Sequence, residues 1–244
     1  MITIYKRAGE TPLEALNRLR ALKPELKDEA LSYAGRLDPM ADGVLLVLVG
    51  EENKQREKYL NQNKEYEATM LLGVETDTYD ILGKVIELVN IHETNISVEE
   101  IADCLKDFVG EIDQAYPPYS SQPVNGKPLF EWAREGKLNE IIIPTKKVSI
   151  ESIRVRDMQK IHSQELLKII LDKIHLVNPE HDFRQKEISS IWQDVLSNLH
   201  QDFITAKITV KCSSGTYIRS LIHEAGKKLN TNAIALSITR TKIG

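Results

Sequence analysis

The sequence predicts an α+β fold with a mixed, largely antiparallel sheet flanked by helices and loops. Strand-like apolar segments are followed by single amphipathic helices, without the regular alternation that builds a parallel sheet. Hydrophobic residues make up 41% of the 244 residues, which is ample for a packed core. No internal repeat is visible, and this excludes solenoids and propellers.

In the first half of the chain, Thr11 followed by Pro12 is typical of the start of a helix, and Lys23-Pro24 ends it. Residues 32–42 are predicted to form a loop before a strongly apolar strand. The expected strands are 2–6, 44–49 and 65–72, and the expected helices are 11–22 and 53–60.

In the second half, Ser97 opens a capping-box pattern for a helix that is predicted to end at Gly110. Prolines and a glycine predict a loop over 114–127. Residues 157–202 are polar and helix-prone, and we interpret them as a helical insertion. The other expected elements are helices over 129–135 and 216–229 and strands over 147–155, 203–211 and 233–243.

Charge is unevenly distributed along a chain whose net charge is −4. Residues 207–244 hold seven Lys and Arg against one acid, whereas residues 87–113 hold eight acids against one lysine. We therefore expect the acidic stretch to face away from a phosphate backbone and Lys227 and Lys228 to contribute to binding such a backbone. Ordinary surface charge is the alternative explanation.

Metal and membrane chemistry find no support in the residue pattern. The two cysteines form no Cys-x-x-Cys pair, and the six histidines show no helical His-x-x-x-His spacing, so the sequence predicts no metal site. No apolar run is long enough for a bilayer, and no secretory leader is recognisable. We expect a monomeric, cytoplasmic protein.

The loop around Asp38 is the most informative stretch. Asp38 lies between Leu37 and Pro39, where the backbone has few conformational options, and directly before an apolar strand. A rigid loop at a strand end is a good mount for a reactive carboxylate. An Asx-turn residue before proline would produce the same pattern.

Three further segments carry polar or aromatic side chains suited to RNA. Ser213-Ser-Gly215 leads into a helix whose start holds Tyr217 and Arg219; Arg219 can pair with a carboxylate, or it can simply be a solvated residue. Tyr66 can stack on a base, and the Thr-Asp-Thr-x-Asp segment at 76–80 suits a tightly bonded loop better than a cation site. The aromatic, proline-rich loop at 114–136 fits either an RNA groove or packing scaffold.

Together and in this order, these blocks resemble the TruB pseudouridine synthases over most of the chain. The carrying motifs are Lys6-Arg-Ala-Gly-Glu-Thr11, Gly35-Arg-Leu-Asp-Pro-Met-Ala-Asp-Gly-Val-Leu45, the Tyr66 and Thr-Asp-Thr-x-Asp segments, Pro-Pro-x-Tyr-Ser and Cys-Ser-x-Gly-Thr-Tyr-Ile-Arg219. Arg7 stands where the family has proline, and Tyr33 stands where bacterial relatives usually have histidine. Tyr33 retains the ability to stack.

The resemblance implies a pseudouridine synthase fold and the isomerisation of uridine 55 in the T-loop of transfer RNA without a cofactor. Asp38 would be the nucleophile, Tyr66 the ring beside the target base, and Arg219 the ion-pair partner of Asp38. The expected substrate-binding residues are Tyr33, Arg36, Lys64, Tyr217 and Ile238. We expect one catalytic domain over 1–244, without the PUA module that often follows it.

Two alternatives remain open. Arg36 within Gly-Arg-Leu-Asp echoes the branches that modify ribosomal RNA, so an RNA of that class is a second candidate substrate. A non-catalytic chaperone that folds transfer RNA is the other, although binding alone does not require Asp38, Tyr66 and Arg219 together.

Overall fold

The structure is a computed structural model that describes residues 1–89 and 96–244. The described helices are α1 (Pro12–Leu22), α2 (Arg56–Leu60), α3 (Val98–Lys106), α4 (Leu129–Arg134), α5 (Ser163–Ile174), α6 (Gln185–Leu196) and α7 (Ile218–Lys228). The strands are β1 (Ile2–Lys6), β2 (Leu31–Ala34), β3 (Ala41–Val49), β4 (Lys64–Leu72), β5 (Val74–Thr76), β6 (Val85–Leu88), β7 (Gly110–Ala115), β8 (Pro123–Val124), β9 (Lys127–Pro128), β10 (Thr145–His162), β11 (Asp202–Cys212) and β12 (Ala233–Ile243).

One mixed sheet of eight strands organises the fold. Its order is β1-β3-β12-β4-β11-β10-β7. Strand β2 pairs with residues 46–49 of β3. Only the short β12–β3 pairing is parallel among the described strands, and the others are antiparallel. The predicted α+β class with a mixed, largely antiparallel sheet is confirmed.

Local signals account for the helices that the sequence predicted well. The Thr11 hydroxyl accepts a hydrogen bond from the Glu14 amide, and the Glu14 carboxylate accepts one from the Thr11 amide. Ser97 and Glu100 form the same reciprocal box at the start of α3. Both boxes satisfy amides that the first helical turn leaves without partners.

Several predicted boundaries were wrong; for example, the helix expected to end at Gly110 ends at Lys106. The loop expected over 32–42 is shorter, because Leu31–Ala34 forms β2 and Ala41–Val49 forms β3. The loop expected over 114–127 begins with the end of β7 and contains the β8–β9 hairpin. The helix expected over 53–60 is a 3₁₀ turn at Gly50–Gln55 followed by the short α2.

The predicted insertion over 157–202 also needs correction. Residues 157–162 continue β10 and pair with β11, from Asp157↔Lys207 to His162↔Asp202. The helical part, α5 and α6, therefore connects β10 to β11 at the end of their long antiparallel pairing. Its apolar side chains Leu166, Ile170, Ile188 and Trp192 are fully buried and join the main core.

Several cations of the basic stretch 207–244 pair with acidic side chains. Lys228 donates to Asp107 at 2.5 Å, beside the acidic α3. Lys211 and Lys242 both approach Glu65, at 3.3 and 3.7 Å. These cations already have acidic partners, and the contribution of Lys227 and Lys228 to RNA binding stays a prediction. Part of the acidic stretch, 90–95, lies outside the described residues.

None of the helices in the described ranges has the length and apolar character needed to cross a membrane.

Candidate active site

A cleft of about 660 Å³ opens beside the strands β3, β4 and β12. All eight site residues predicted from the sequence line it: Tyr33, Arg36, Asp38, Lys64, Tyr66, Tyr217, Arg219 and Ile238. These residues come from four different elements, β2, β4, α7 and β12, and from the loops next to them, so the fold brings together groups that are far apart in the sequence.

Two buried cations fix the loop that carries Asp38. Lys6 Nζ donates to the carbonyls of Arg7, Pro39 and Ala41. From the other side, Arg240 Nη2 donates to the Gly35 carbonyl at 3.1 Å. The side chains of Lys6 and Arg240 are almost completely buried. Burial lowers the pKa of Lys6 to about 8.

The backbone of Arg240 also comes very close to β3, the strand that follows the loop 35–40. Gly43 has φ of 108°, and a Cβ added there would lie 2.2 Å from the Arg240 carbonyl oxygen. The parallel contact between β12 and β3 therefore requires glycine at this position. Through that contact, Arg240 remains within reach of the loop 35–40.

Asp38 is held by Arg219 at the mouth of the cleft. Arg219 Nε donates to Asp38 Oδ2 at 2.8 Å, and Nη1 donates to the Thr78 carbonyl. The Arg219 side chain is 3% exposed, whereas that of Asp38 is 30% exposed. One end of the ion pair is thus fixed inside the protein while the carboxylate remains accessible to a ligand.

Asp80 is a second carboxylate partner of Arg219, which the sequence analysis named only as a loop residue. Its Oδ2 lies 3.7 Å from Arg219 Nε. Its Oδ1 accepts from the Thr78 hydroxyl at 2.7 Å and from the Leu82 amide at 2.9 Å. Burial raises the pKa of Asp80 more than the Arg219 charge lowers it.

Tyr66 and Ile238 form an apolar wall of the cleft. Both are only 8% exposed, and Ile238 pairs in register with Ala68 of β4 and Ala41 of β3. Burial raises the pKa of Tyr66, so its phenol stays protonated at neutral pH. Tyr66 therefore offers an aromatic ring and a neutral hydroxyl.

The side chain of Gln114 holds the backbone of Tyr217 with two hydrogen bonds. Gln114 accepts from the Tyr217 amide at 2.7 Å and donates to its carbonyl at 3.0 Å. The Tyr217 ring packs edge to face on Tyr116 at 5.5 Å. Arg36, which also lines the cleft, is exposed and donates to the Tyr33 hydroxyl at 3.4 Å.

The cleft is strongly cationic although the protein is acidic overall. Seven basic side chains line it against two carboxylates, Asp38 and Asp80; the basic residues are Arg36, Lys64, Arg134, Lys146, Arg184, Arg219 and Arg240. The sequence analysis missed Arg134, Lys146, Arg184 and Arg240 as cleft residues, since only the three-dimensional fold collects them. Burial lowers the pKa of Lys64 to about 8, and its ammonium donates to the carbonyls of Leu60 and Gln62.

Within the described residues, no group of three or more His, Cys, Asp or Glu side chains is arranged to hold a metal ion.

Next to Asp80, a buried histidine gives the protein a predicted sensitivity to acid. His223 stacks on Tyr79 at 3.6 Å, and neither ring nitrogen has a hydrogen-bond partner among the described residues. The carboxylate of Glu75 lies 3.9 Å away, which is too far for a hydrogen bond. Burial lowers the pKa of His223 to about 4, with a smaller contribution from Lys227.

His223→Phe is expected to stabilise the protein and to flatten its acid unfolding. The wild-type folded state binds fewer protons than the unfolded state between pH 4 and about 6.5, so stability rises with pH across that window. Phenylalanine keeps the stack on Tyr79 without unpaired nitrogens, and we expect a gain of about 1–3 kcal/mol at pH 5. Urea unfolding from pH 4 to 7 measures it; parallel curves for both proteins would contradict the prediction.

The fold and the site together define a class of protein. A carboxylate held by a buried arginine, beside an aromatic wall and inside a cationic cleft, fits an enzyme that acts on a nucleic-acid base. Comparison with known proteins gives the family. The family model described as "TruB family pseudouridylate synthase (N terminal domain)" matches residues 23–173.

Curated relatives agree with that match over the whole chain. The chain is 35% identical to tRNA pseudouridine synthase B of Caldicellulosiruptor saccharolyticus over 244 residues, which is 100% of this chain and 67% of that protein. It is 31% identical to the protein of the same name from Staphylococcus haemolyticus, again over 100% of this chain and 66% of the relative. The chain belongs to the TruB family of pseudouridylate synthases.

The solved structures support the fold at lower identity. One chain in the crystal structure of a Cbf5-Nop10-Gar1 complex matches this protein with a TM-score of 0.59 and 20% sequence identity. The match covers 100% of this chain and 48% of that chain. The present chain thus spans about two thirds of the curated relatives and about half of that structural neighbour.

Proposed function

We propose that this protein isomerises uridine to pseudouridine in the T-loop of transfer RNA, at the position conventionally numbered 55. Family membership and the names of the relatives support a pseudouridine synthase acting on transfer RNA. The observation that carries the proposal is the Asp38 carboxylate, which Arg219 holds at 2.8 Å at the mouth of a cationic cleft.

The reaction requires a closed site more than it requires a cofactor. The N1–C1′ bond of uridine breaks, the uracil rotates, and a C5–C1′ bond forms with loss of the C5 proton while N1 gains one. Asp38 is the proposed nucleophile, because its carboxylate is accessible and its partner cation is buried. The target base must leave its stack to reach this cleft.

The proposed roles of the other residues follow from their places around Asp38. Tyr66 and Ile238 supply the wall that keeps the detached uracil in place. Tyr33 and Tyr217 offer aromatic faces to neighbouring nucleotides. Arg36 and Lys64 contribute positive charge for the RNA backbone.

The proposal extends to the organisation of the protein. The large sheet includes β1, from the start of the chain, and β12, from its end, and this supports a single catalytic domain. The partner is the T-arm of transfer RNA, bound by a monomer in the cytoplasm. The helical part between β10 and β11 belongs to the same core.

Tritium release tests the proposal directly. A T-arm hairpin labelled at C5 of uridine is incubated with the protein, next to a hairpin with cytidine at position 55 and to ribosomal RNA fragments. Release from the T-arm that disappears with the cytidine hairpin supports the proposal. Release only from ribosomal RNA would overturn the T-loop assignment, and binding of the T-arm without any release would favour a chaperone.

A further inference from the structure

The segment that joins α5 and α6, residues 175–184, reaches the cleft from outside the motifs that define the site. Phe183 and Arg184 both line the cleft next to the catalytic residues. This segment lies in the helical part between β10 and β11, which the proposed chemistry does not otherwise use.

The segment is fastened to the N-terminal side of the cleft. Asn178 donates to the Glu14 carboxylate of α1 at 2.9 Å, and His181 lies 3.4 Å from the same oxygen. The backbone of Leu176 passes so close to Gly9 that a Cβ there would lie 2.3 Å from the Leu176 carbonyl oxygen. Glycine at position 9 is therefore required for this contact.

Arg184 connects the segment with two further walls of the cleft. Its guanidinium donates to both oxygens of Asp77, at 2.6 and 3.2 Å, and lies 4.5 Å from the centre of the Tyr119 ring. Tyr119 also donates to Asp77, at 3.0 Å. Arg184 has φ of 64°, an unusual conformation for a residue other than glycine, asparagine or aspartate.

A second arginine ties the proline-rich loop to the same segment. Arg134 of α4 donates to the Asp182 carbonyl at 2.5 Å and lies 5.9 Å from the Phe130 ring centre. Phe130 and Arg134 line the cleft as well. Aromatic and guanidinium groups therefore meet where the loop and the segment face the cleft.

We propose that residues 175–184 form an RNA-contacting wall of the cleft and that Arg184 is the positioning residue that fixes this wall. The proposal rests on the proposed function, because it assigns RNA to the cleft. Phe183 presents an aromatic ring of the kind that unpaired bases stack on, beside arginine side chains that favour phosphate. The wall thereby contributes to substrate affinity, separately from the reacting atoms.

The Asp77 turn explains why Arg184 acts on binding rather than on chemistry. Asp77 accepts from the Lys84 amide at 2.8 Å and donates its own amide to the Lys84 carbonyl at 3.1 Å. These bonds brace the turn that supports Arg219 without any help from Arg184. Loss of Arg184 therefore frees the wall and leaves the Asp38–Arg219 pair in place.

Kinetics of three variants test the role of this wall. Arg184→Asn keeps a residue that tolerates positive φ and caps helices, and Phe183→Ala removes the ring; each is expected to raise KM for the T-arm hairpin about tenfold with kcat within about twofold. Phe183→Trp is expected to restore KM. Arg156→Ala, an exposed arginine on β10 outside the cleft, is the control and should behave as wild type.

Hydrogen exchange separates this proposal from the proposed function. With Asp38→Asn protein and T-arm hairpin, RNA is expected to slow exchange in 175–184, and Arg184→Asn is expected to speed exchange there and in 115–137 without RNA. Protection confined to other cleft segments, or an unchanged KM in both variants, would overturn the wall while the proposed function stands. Absence of protection anywhere would overturn both.

Discussion

Asp38→Asn is expected to lower kcat for uridine isomerisation by at least about a thousandfold, as removal of a nucleophile typically does. Asparagine has nearly the same shape, and its amide oxygen still accepts the Arg219 Nε–H. It lacks the negative charge that makes the carboxylate a nucleophile. Tritium release from the T-arm hairpin under single-turnover conditions measures the loss.

The fold should tolerate this change, so that the loss can be assigned to chemistry. Asp38 is 30% exposed, and Arg219 keeps Asp80 and the Thr78 carbonyl as partners. We expect the melting temperature and the affinity for the hairpin to stay close to wild type. Asp42→Asn, on β3 and outside the cleft, is the matched control. Undiminished release by Asp38→Asn would remove Asp38 from the nucleophile role.

The residues proposed to carry the chemistry could be predicted to lie in one site, because their side chains are distinctive. Asp38 and Arg219 stand in motifs with distinctive residue types, and the fold brings the two into a direct hydrogen bond. Lys6 and Arg240 were harder to assign, since their partners are backbone carbonyls. Carbonyls are the same in every residue, and no pattern in the sequence shows which ones a buried cation will reach.

The start of the helical insertion was misplaced because the second half of β10 is an edge strand. Strand β7 pairs only with residues 145–150 of β10, so the rest of β10 is an edge strand. Charged residues such as Arg154, Arg156 and Asp157 are exposed there, as is common on edges that must not pair further. Without a clear apolar alternation, a stretch of this kind does not indicate a strand.

The cleft wall at 175–184 could not be predicted for a different reason. Arg184 is an isolated arginine in a polar segment, and its role depends on Asp77 and Tyr119, which are distant in the chain. Local sequence does not encode where a long insertion folds back. The packing of Trp192 and its neighbours against the main core decides that placement.

Arg219→Ala is expected to abolish turnover and also to destabilise the fold, unlike Asp38→Asn. The guanidinium is 3% exposed and interacts with Asp38, Asp80 and the Thr78 carbonyl. Removing one partner of a buried ion pair leaves an uncompensated charge and typically reduces the free energy of unfolding by about 3–5 kcal/mol. Urea unfolding at pH 7 measures this loss, with Arg154→Ala as an exposed control on β10.

The pH dependence of that destabilisation identifies its cause. Burial already raises the pKa of Asp80, and loss of the Arg219 charge removes the main opposing influence. A carboxyl whose folded pKa exceeds its unfolded value binds more protons when folded, so stability falls as pH rises. Arg219→Ala should therefore be less destabilised at pH 4.5 than at pH 7. An equal loss at both values would contradict the role of Asp80.

Two further variants separate charge from geometry at this position. Adding Asp80→Asn to Arg219→Ala removes the buried carboxylate, so stability should recover while turnover stays absent. Arg219→Lys keeps the charge, but one ammonium cannot reproduce the directional guanidinium contacts with Asp38 and the Thr78 carbonyl. We expect it to recover stability more than activity, since catalysis depends on where the Asp38 carboxylate is held and not only on its neutralisation. Wild-type turnover by Arg219→Lys would show that charge alone suffices.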